Sequence, residues 1–204
     1  MATTLLGLIG KKQSGKDSFA SRLVSEHGFT RLAFADPLKD IALELNPIMD
    51  TDVVVGERIY LVDLIDLYGW DEAKETFPEV RELLQRLGVS VRNHVSENVW
   101  IQALAEKAYR TPGPVVVSDC RFLNEARWIR GQGGETVRII RPGQDNADRH
   151  ISETELDAWV AEHRVINDGT VADLHFTVDH IATDLFLRGL SFPSHTRRSA
   201  LISV

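Results

Sequence analysis

Nine residues, GKKQSGKDS at positions 10–18, combine glycines, lysines and hydroxyls at the spacing GxxxxGK. That pattern suits a polyphosphate. Gly10 and Gly15 permit the backbone turns that aim amides at an anion, and a helix starting beyond them adds the positive end of its dipole. Lys16 is placed to reach the β- and γ-phosphates of a nucleotide as a point charge, with Lys12, Gln13 and Ser14 completing the loop. Asp17 stands where the usual pattern has a hydroxyl, and the hydroxyl follows one place later, at Ser18. Two roles for Asp17 are balanced: facing the water shell of a Mg2+ ion, or favouring the helix N-terminus as any carboxylate would. A glycine-rich turn with solvated lysines is the bland alternative, and the strand and helix patterns on either side weigh against it.

A second group of candidates follows the apolar run Val115-Val116-Val117-Ser118. Asp119 and Arg121 fall where a buried strand of an open α/β sheet ends and where ligands bind. Asp119 can hold Mg2+ through water there, and Arg121 can bridge donor and acceptor phosphates. Without the loop the same two residues would be a surface ion pair; with it, function is the better reading. Arg141-Pro142-Gly143, the polar run QDNAD and Arg149-His150 read as a short lid over about 141–152. It would bring Arg141 and Arg149 inward and exclude water, the alternative being a solvated loop. Ser152-x-x-Glu155 reads as a capping box and His150 as structural.

The elements that must hold these residues are legible from periodicity. Leu5–Ile9 is a short apolar strand, and Phe19, Ala20, Leu23 and Val24 recur at helical spacing up to Gly28. A strand is expected at Thr30–Phe34. Asp36 then reads as an N-cap with Pro37 at the first helical position, ahead of Leu38, Ile41, Ala42 and Leu45 on one face. Residues 46–110 read as helix and loop. Pro78 opens a helix that Gly88 ends, and Ser96 caps another carrying Val99, Trp100, Ala103 and Leu104. Strands return at Val115–Ser118, Thr136–Ile140 and Arg164–Ile166, and a last helix spans about Val171–Arg188. Four or five short apolar strands separated by helices specify an α/β parallel sheet covered on both faces. The chain reads as one domain over 1–190, with a helical sub-domain at about 36–110, too long for a single crossover, and a frayed tail over 191–204.

Composition narrows the classes. The 204 residues are 43% hydrophobic and 26% charged, with a net charge of −7 that argues against wholesale nucleic-acid binding. No run approaches the ~18 apolar residues of a membrane span, and no secretory signal is expected at the N-terminus. Cys120, the single cysteine, suits a reducing compartment, and the seven histidines show no metal spacing. A guanine-reading NKxD and an LSGGQ-like stretch are both absent, which counts against a GTPase switch and a transporter ATPase.

Six further stretches are FADPLKD at 34–40, RELLQRLG at 81–88, RNHVSENVW at 92–100, SDCRFLNEA at 118–126, RHISETELD at 149–157 and INDGTVADL at 166–174. With GKKQSGKDS, in this order, they resemble the deoxynucleoside monophosphate kinases of bacterial viruses, a branch of the P-loop nucleoside monophosphate kinase fold. The resemblance runs from the first strand to the last helix. GVSVRN at 88–93 departs from it, since relatives often carry an acidic residue after the glycine.

The resemblance implies a three-layer sandwich with a five-stranded parallel sheet, a helical acceptor-binding sub-domain and a lid. It implies ATP as donor, Mg2+, a deoxynucleoside monophosphate as acceptor, and a location in host cytoplasm; a homodimer is left open. Lys16, Arg121 and Arg149 become the catalytic candidates. Asp36, Lys39, Arg81, Gln85, Arg92 and Trp100, with Asp119 and Arg121, become candidates for gripping the acceptor. The bland readings are a helix cap for Asp36, solvated helix faces for Lys39, Arg81 and Gln85, and core for Trp100. Asn167-Asp168-Gly169 is a turn by composition, and in this fold its backbone borders the donor's adenine. The chemistry agrees, because an acceptor phosphate with a second pKa near ~6 is already largely ionised at neutral pH. The reaction needs charge compensation and in-line positioning, and no Ser–His–Asp triad. Alternatives are another small-molecule P-loop kinase acting on phosphomevalonate or dephospho-coenzyme A, a nucleotide-dependent switch, or a kinase-like protein that only binds nucleotide.

Overall fold

The computed structural model describes residues 4–51, 58–143 and 155–189. The chain divides into two compact units, one formed by Met1–Ala33 with Leu104–Val204 and the other by Phe34–Ala103. No helix among the described residues is long and apolar enough to cross a membrane.

The larger unit is built on five parallel strands in the order β2-β5-β1-β6-β7, where β1 is Leu5–Ile9, β2 Thr30–Leu32, β5 Val115–Val117, β6 Glu135–Ile140 and β7 His163–Ile166. All residues of β1 and β5 are buried. Burial on both faces is why these strands read as continuous apolar runs rather than alternating ones. Leu6, Leu8, Val137, Ile139 and Val165 point to one face, where they share a core with Phe19 and Leu23 of α1 (Lys16–His27) and with Val178 and Leu185 of α7 (Val171–Arg188). The fully buried Phe19 alone contributes about 1.5–3 kcal/mol of transfer free energy. On the other face α6 (Leu123–Gly131) lies against β1 and β6 through buried Ala126 and Ile129.

The smaller unit holds α2 (Asp36–Leu45), a hairpin of β3 (Ile48–Thr51) and β4 (Arg58–Tyr60), α3 (Leu61–Thr76), α4 (Pro78–His94) and the start of α5 (Val99–Arg110). Ala42, Leu61, Leu64, Ala73 and Val80 form its core, with Tyr68, Phe77 and Leu87 packed around them.

The sheet, α1 and α7 agree with the sequence reading, whereas Ser96 is not the cap of α5: that helix starts at Val99 with the Asn98 carbonyl accepting its first bond, and Ser96 Oγ accepts from the Asn98 amide at 3.2 Å in the turn before it. Other expectations are corrected. β2 stops at Leu32, two residues short. Asp36 is the first helical residue of α2, with Ala35 at the cap position. The antiparallel hairpin was not expected, because strands of four and three residues are too short to show a period. α3, bent at Gly69 (φ 68°, ψ 170°), and α6 were also missed. Most consequentially, α4 does not end at Gly88 but continues to His94. Gly88 serves close packing: a Cβ there would stand 3.3 Å from Leu38 Cδ2, and its carbonyl accepts from Trp100 Nε1 at 3.2 Å.

An ion cluster ties the two helices of the main core. Arg22 donates to both carboxylate oxygens of Asp179 at 2.9 and 2.8 Å, and His27 Nε2 lies 2.8 Å from the same group. Arg22 first, then His27, hold the Asp179 carboxyl well below its usual range. A depressed carboxylate stabilises the fold fully above its unfolded pKa of about 3.9, and that contribution is lost progressively as pH falls from there through the lower folded-state value. Asp179→Asn is therefore expected to lower the melting temperature at pH 7. Its melting curve should approach the wild type's progressively as the pH falls below about 3.9, and merge with it only once the depressed folded-state carboxyl is itself protonated. A constant gap across that range in thermal denaturation would show that the charge is not the cause.

Candidate active site

The segment between β1 and α1 leaves the centre of the sheet and enters a helix within a few residues. Gln13 (φ 59°) and Gly15 (φ 104°) take the left-handed conformation needed for the turn. A Cβ at Gly15 would meet Asn167 Nδ2 at 2.5 Å, and one at Gly10 would meet the Ile139 carbonyl at 2.6 Å, so close approach as well as torsion demands glycine. The Ser14 amide donates to Lys11 O at 3.2 Å and closes the turn, while the buried Ser14 Oγ has no partner among the described residues. Lys16 Nζ donates to Gly10 O and Lys11 O at 2.6 and 2.7 Å, which concentrates a cation on the loop itself. Lys12, Gln13 and Asp17 are exposed, Ser18 is half-buried, and Asp17 sits in the first turn of α1.

The chain beyond β5 stays on the sheet. Ser118 N donates to Leu32 O at 3.0 Å and Cys120 N to Leu8 O at 3.1 Å, so Asp119 emerges between the ends of β2 and β1. Burial pushes the Cys120 thiol well up, which keeps it protonated and unreactive at neutral pH. The amides of Arg121 and Phe122 donate to Glu125 Oε2 at 2.8 and 3.0 Å, and the Leu123 amide donates to Glu155 Oε1 at 2.8 Å. Two carboxylates thus satisfy the open N-terminus of α6 and set the backbone at Arg121. Glu155 thus accepts from a residue thirty-two positions away, while Ser152, the other half of the capping box expected there, lies outside the described residues.

Beside the loop opens a cleft of about 660 Å3 lined by Gly10, Lys11 and Ser14 together with Arg121, Arg138, Arg141, Arg164 and Asp157. Arg121 and Arg141 were candidates from sequence. Arg138 and Arg164 were not, although both are charges inside apolar strands, and they are register partners on β6 and β7. Arg138 Nη2 donates to Leu156 O and Trp159 O, which anchors the 156–159 turn, and burial draws its guanidinium below the ordinary value. Arg164 is exposed. Asn167 is buried, its Nδ2 donating to Ser14 O at 2.9 Å and its amide to Ile140 O at 2.7 Å, while Gly169 precedes the Thr170–Asp173 capping box of α7. Arg149 and residues 144–152 of the expected lid lie outside the described residues.

The remaining candidates belong to the smaller unit. Because α4 is continuous, Arg81, Gln85 and Arg92 recur at i, i+4 and i+11 on one stripe, with the two arginines roughly 16 Å apart along the axis. Lys39 places its ammonium 5.4 Å from the Trp70 ring centroid, and Asp36 opens α2. Trp100 is 5% exposed with its indole N–H on Gly88 O, so it supports α4 instead of facing a ligand.

Residues 70–178, more than half of the chain, match the deoxynucleotide monophosphate kinase family. The chain belongs to that family. A putative deoxynucleotide monophosphate kinase of Acanthamoeba polyphaga mimivirus is 34% identical over 193 residues, covering 84% of this chain and 92% of the relative. The deoxynucleotide monophosphate kinase of Enterobacteria phage T4 is 29% identical over 228 residues, covering 83% and 95%. Among solved structures, the dephospho-CoA kinase from Campylobacter jejuni is similar with 16% identity and a TM-score of 0.45, over 91% of this chain and 98% of that one. At that level it carries no argument about substrate.

The loop of this kinase can be tested directly. Gly15→Ala forces a side chain into the left-handed region and against Asn167. The variant is expected to keep its circular dichroism spectrum while ATP affinity, measured by titration calorimetry, falls at least about tenfold. Unchanged affinity would contradict the loop as the nucleotide site.

Proposed function

We propose that this kinase moves the γ-phosphoryl group of ATP to the 5′-phosphate of a deoxynucleoside monophosphate, giving ADP and the deoxynucleoside diphosphate. The observation that carries the reading beyond family membership is the shared cleft, which the loop residues Gly10, Lys11 and Ser14 line together with Arg121 and Arg141. A polyphosphate on the loop would have its terminal phosphoryl group beside Arg121. An oxygen of the already ionised acceptor phosphate attacks γ-phosphorus, the bond to the β–γ bridging oxygen breaks, and ADP leaves with that electron pair. No proton need be removed first, so the protein's task is to hold two anions in line and offset their charge.

In this reading the loop amides and Lys16 hold the β- and γ-phosphates, and Arg121, joined by Arg141 and Arg149, stabilises the transferring group. Asp36, Lys39, Arg81, Gln85 and Arg92 grip the acceptor, with the Phe34–Ala103 unit as the acceptor sub-domain, and the 167–169 backbone borders the adenine. Mg2+ takes one or two carboxylates together with substrate phosphates and water. Asp119, Asp17 and the Ser18 hydroxyl form a donor set of that chemistry, and the ion would neutralise charge on the phosphate oxygens. The viral relatives suggest deoxynucleotide supply in the cytoplasm of an infected cell as the setting.

A coupled ADP-release assay with MgATP and each deoxynucleoside monophosphate in turn, with phosphomevalonate and dephospho-coenzyme A as controls, tests this. Release dependent on one or more of the monophosphates is expected; release with a control alone, or without any acceptor, would replace the assignment. Lys16→Ala should abolish most transfer. Arg121→Ala should lower kcat about a hundredfold or more with little change in ATP affinity. Weakened ATP binding at an undiminished maximal rate would remove Arg121 from the transfer step.

A further inference from the structure

Asn167 was expected to lie beside the donor's base, with its backbone as the reader. Its side chain does something else. It is 6% exposed, and it reaches across 153 residues of sequence to the carbonyl of Ser14, inside the phosphate loop. Its own amide is held by Ile140 O at 2.7 Å, so the donor is anchored to the end of β6 before it touches the loop.

The consequence follows from peptide geometry. The Ser14–Gly15 bond is trans, and in a trans peptide the C=O and N–H vectors point in opposite directions. Holding Ser14 O toward the buried Asn167 therefore sends the Gly15 N–H away from it. This peptide is also one that could readily turn over, because Gly15 sits at φ 104° and glycine populates several torsional wells at similar energy. A turned-over peptide would present an oxygen where an anion requires an N–H. The hydrogen bond from Asn167 opposes that flip, and the missing Cβ at Gly15 leaves the room in which the amide sits, 2.5 Å from where that Cβ would be.

We infer that Asn167 is a positioning residue for phosphate binding, whose side-chain amide keeps the Gly15 N–H aimed at the polyphosphate. The inference rests on reading the loop as a phosphate cradle, and on nothing about the acceptor. It distinguishes a residue that orients the loop from one that reads adenine.

The test measures binding of ATP, GTP and inorganic tripolyphosphate to the wild type, Asn167→Ala and Asn167→Asp, with melting temperatures recorded in parallel. Asn167→Ala should weaken all three ligands by a common factor of about tenfold. Asn167→Asp is nearly isosteric but cannot donate when ionised. It should bind tripolyphosphate poorly at neutral pH and recover relative to the wild type as the pH falls and its buried carboxyl takes up a proton. That recovery would not arise from loss of packing alone. Weakened ATP binding with unchanged tripolyphosphate binding would overturn the inference in favour of base reading, and unchanged binding of all three would overturn it outright. A wild-type protein that binds tripolyphosphate but transfers phosphate to no deoxynucleoside monophosphate would overturn the proposed function while leaving this inference standing. Failure of the wild type to bind tripolyphosphate would remove the cradle and the inference together.

Discussion

Between Ile9 and Lys16 the backbone must give up the hydrogen bonding of a buried sheet and begin a helix whose first amides have no partner within it, and the rest of the larger unit depends on that turn. Main-chain amides without partners are costly, and positive φ is costly for most side chains. The loop tolerates both because its surroundings are over-determined. β1 is central in the sheet, α1 is fixed beneath by Phe19 and Leu23, and Asn167 grips the loop from the end of β7. The Arg22–Asp179–His27 cluster joins α1 to α7, the helix that leaves the loop carrying Asn167. Both walls of the turn are thereby held to the same core.

Net charge would mislead about the ligand. A chain of charge −7 repels polyanions at long range, yet four arginines line one cleft beside the loop. Screening confines exposed charges to about 8–10 Å at physiological ionic strength, so local arrangement decides what binds. Several acidic residues of the larger unit have structural tasks. Glu125 and Glu155 accept from the first amides of α6 and set the chain at Arg121, while Glu162 accepts from the Thr136 amide and hydroxyl.

The smaller unit shows how one continuous helix changes a chemical reading. Had α4 ended at Gly88, Arg92 would have lain on a loop with no fixed relation to Arg81. Leu38 and Trp100 pack at Gly88 instead, the helix runs on, and the two arginines share a stripe with Gln85. Glycine in a helix interior costs about 1 kcal/mol relative to alanine, and here a Cβ would stand 3.3 Å from Leu38 Cδ2.

What the sequence determined by itself is what depends on near neighbours in the chain. The phosphate loop, the five apolar strands and the bounds of α7 were legible because torsional preference, apolar runs and helical spacing are local properties. Residue 88 misled for the same reason, since glycine is a local stop signal that only a distant leucine and tryptophan can override. The hairpin went unseen because its pairing, not its composition, makes it a sheet. Asn167 was placed correctly in a turn, but nothing near it in sequence indicates that its side chain holds Ser14, or that Arg138 and Arg164 join Arg121 at one cleft. Those contacts exist because strand order brings the ends of β1, β5, β6 and β7 together, and strand order is settled by burial across the whole sheet rather than by any stretch of the chain.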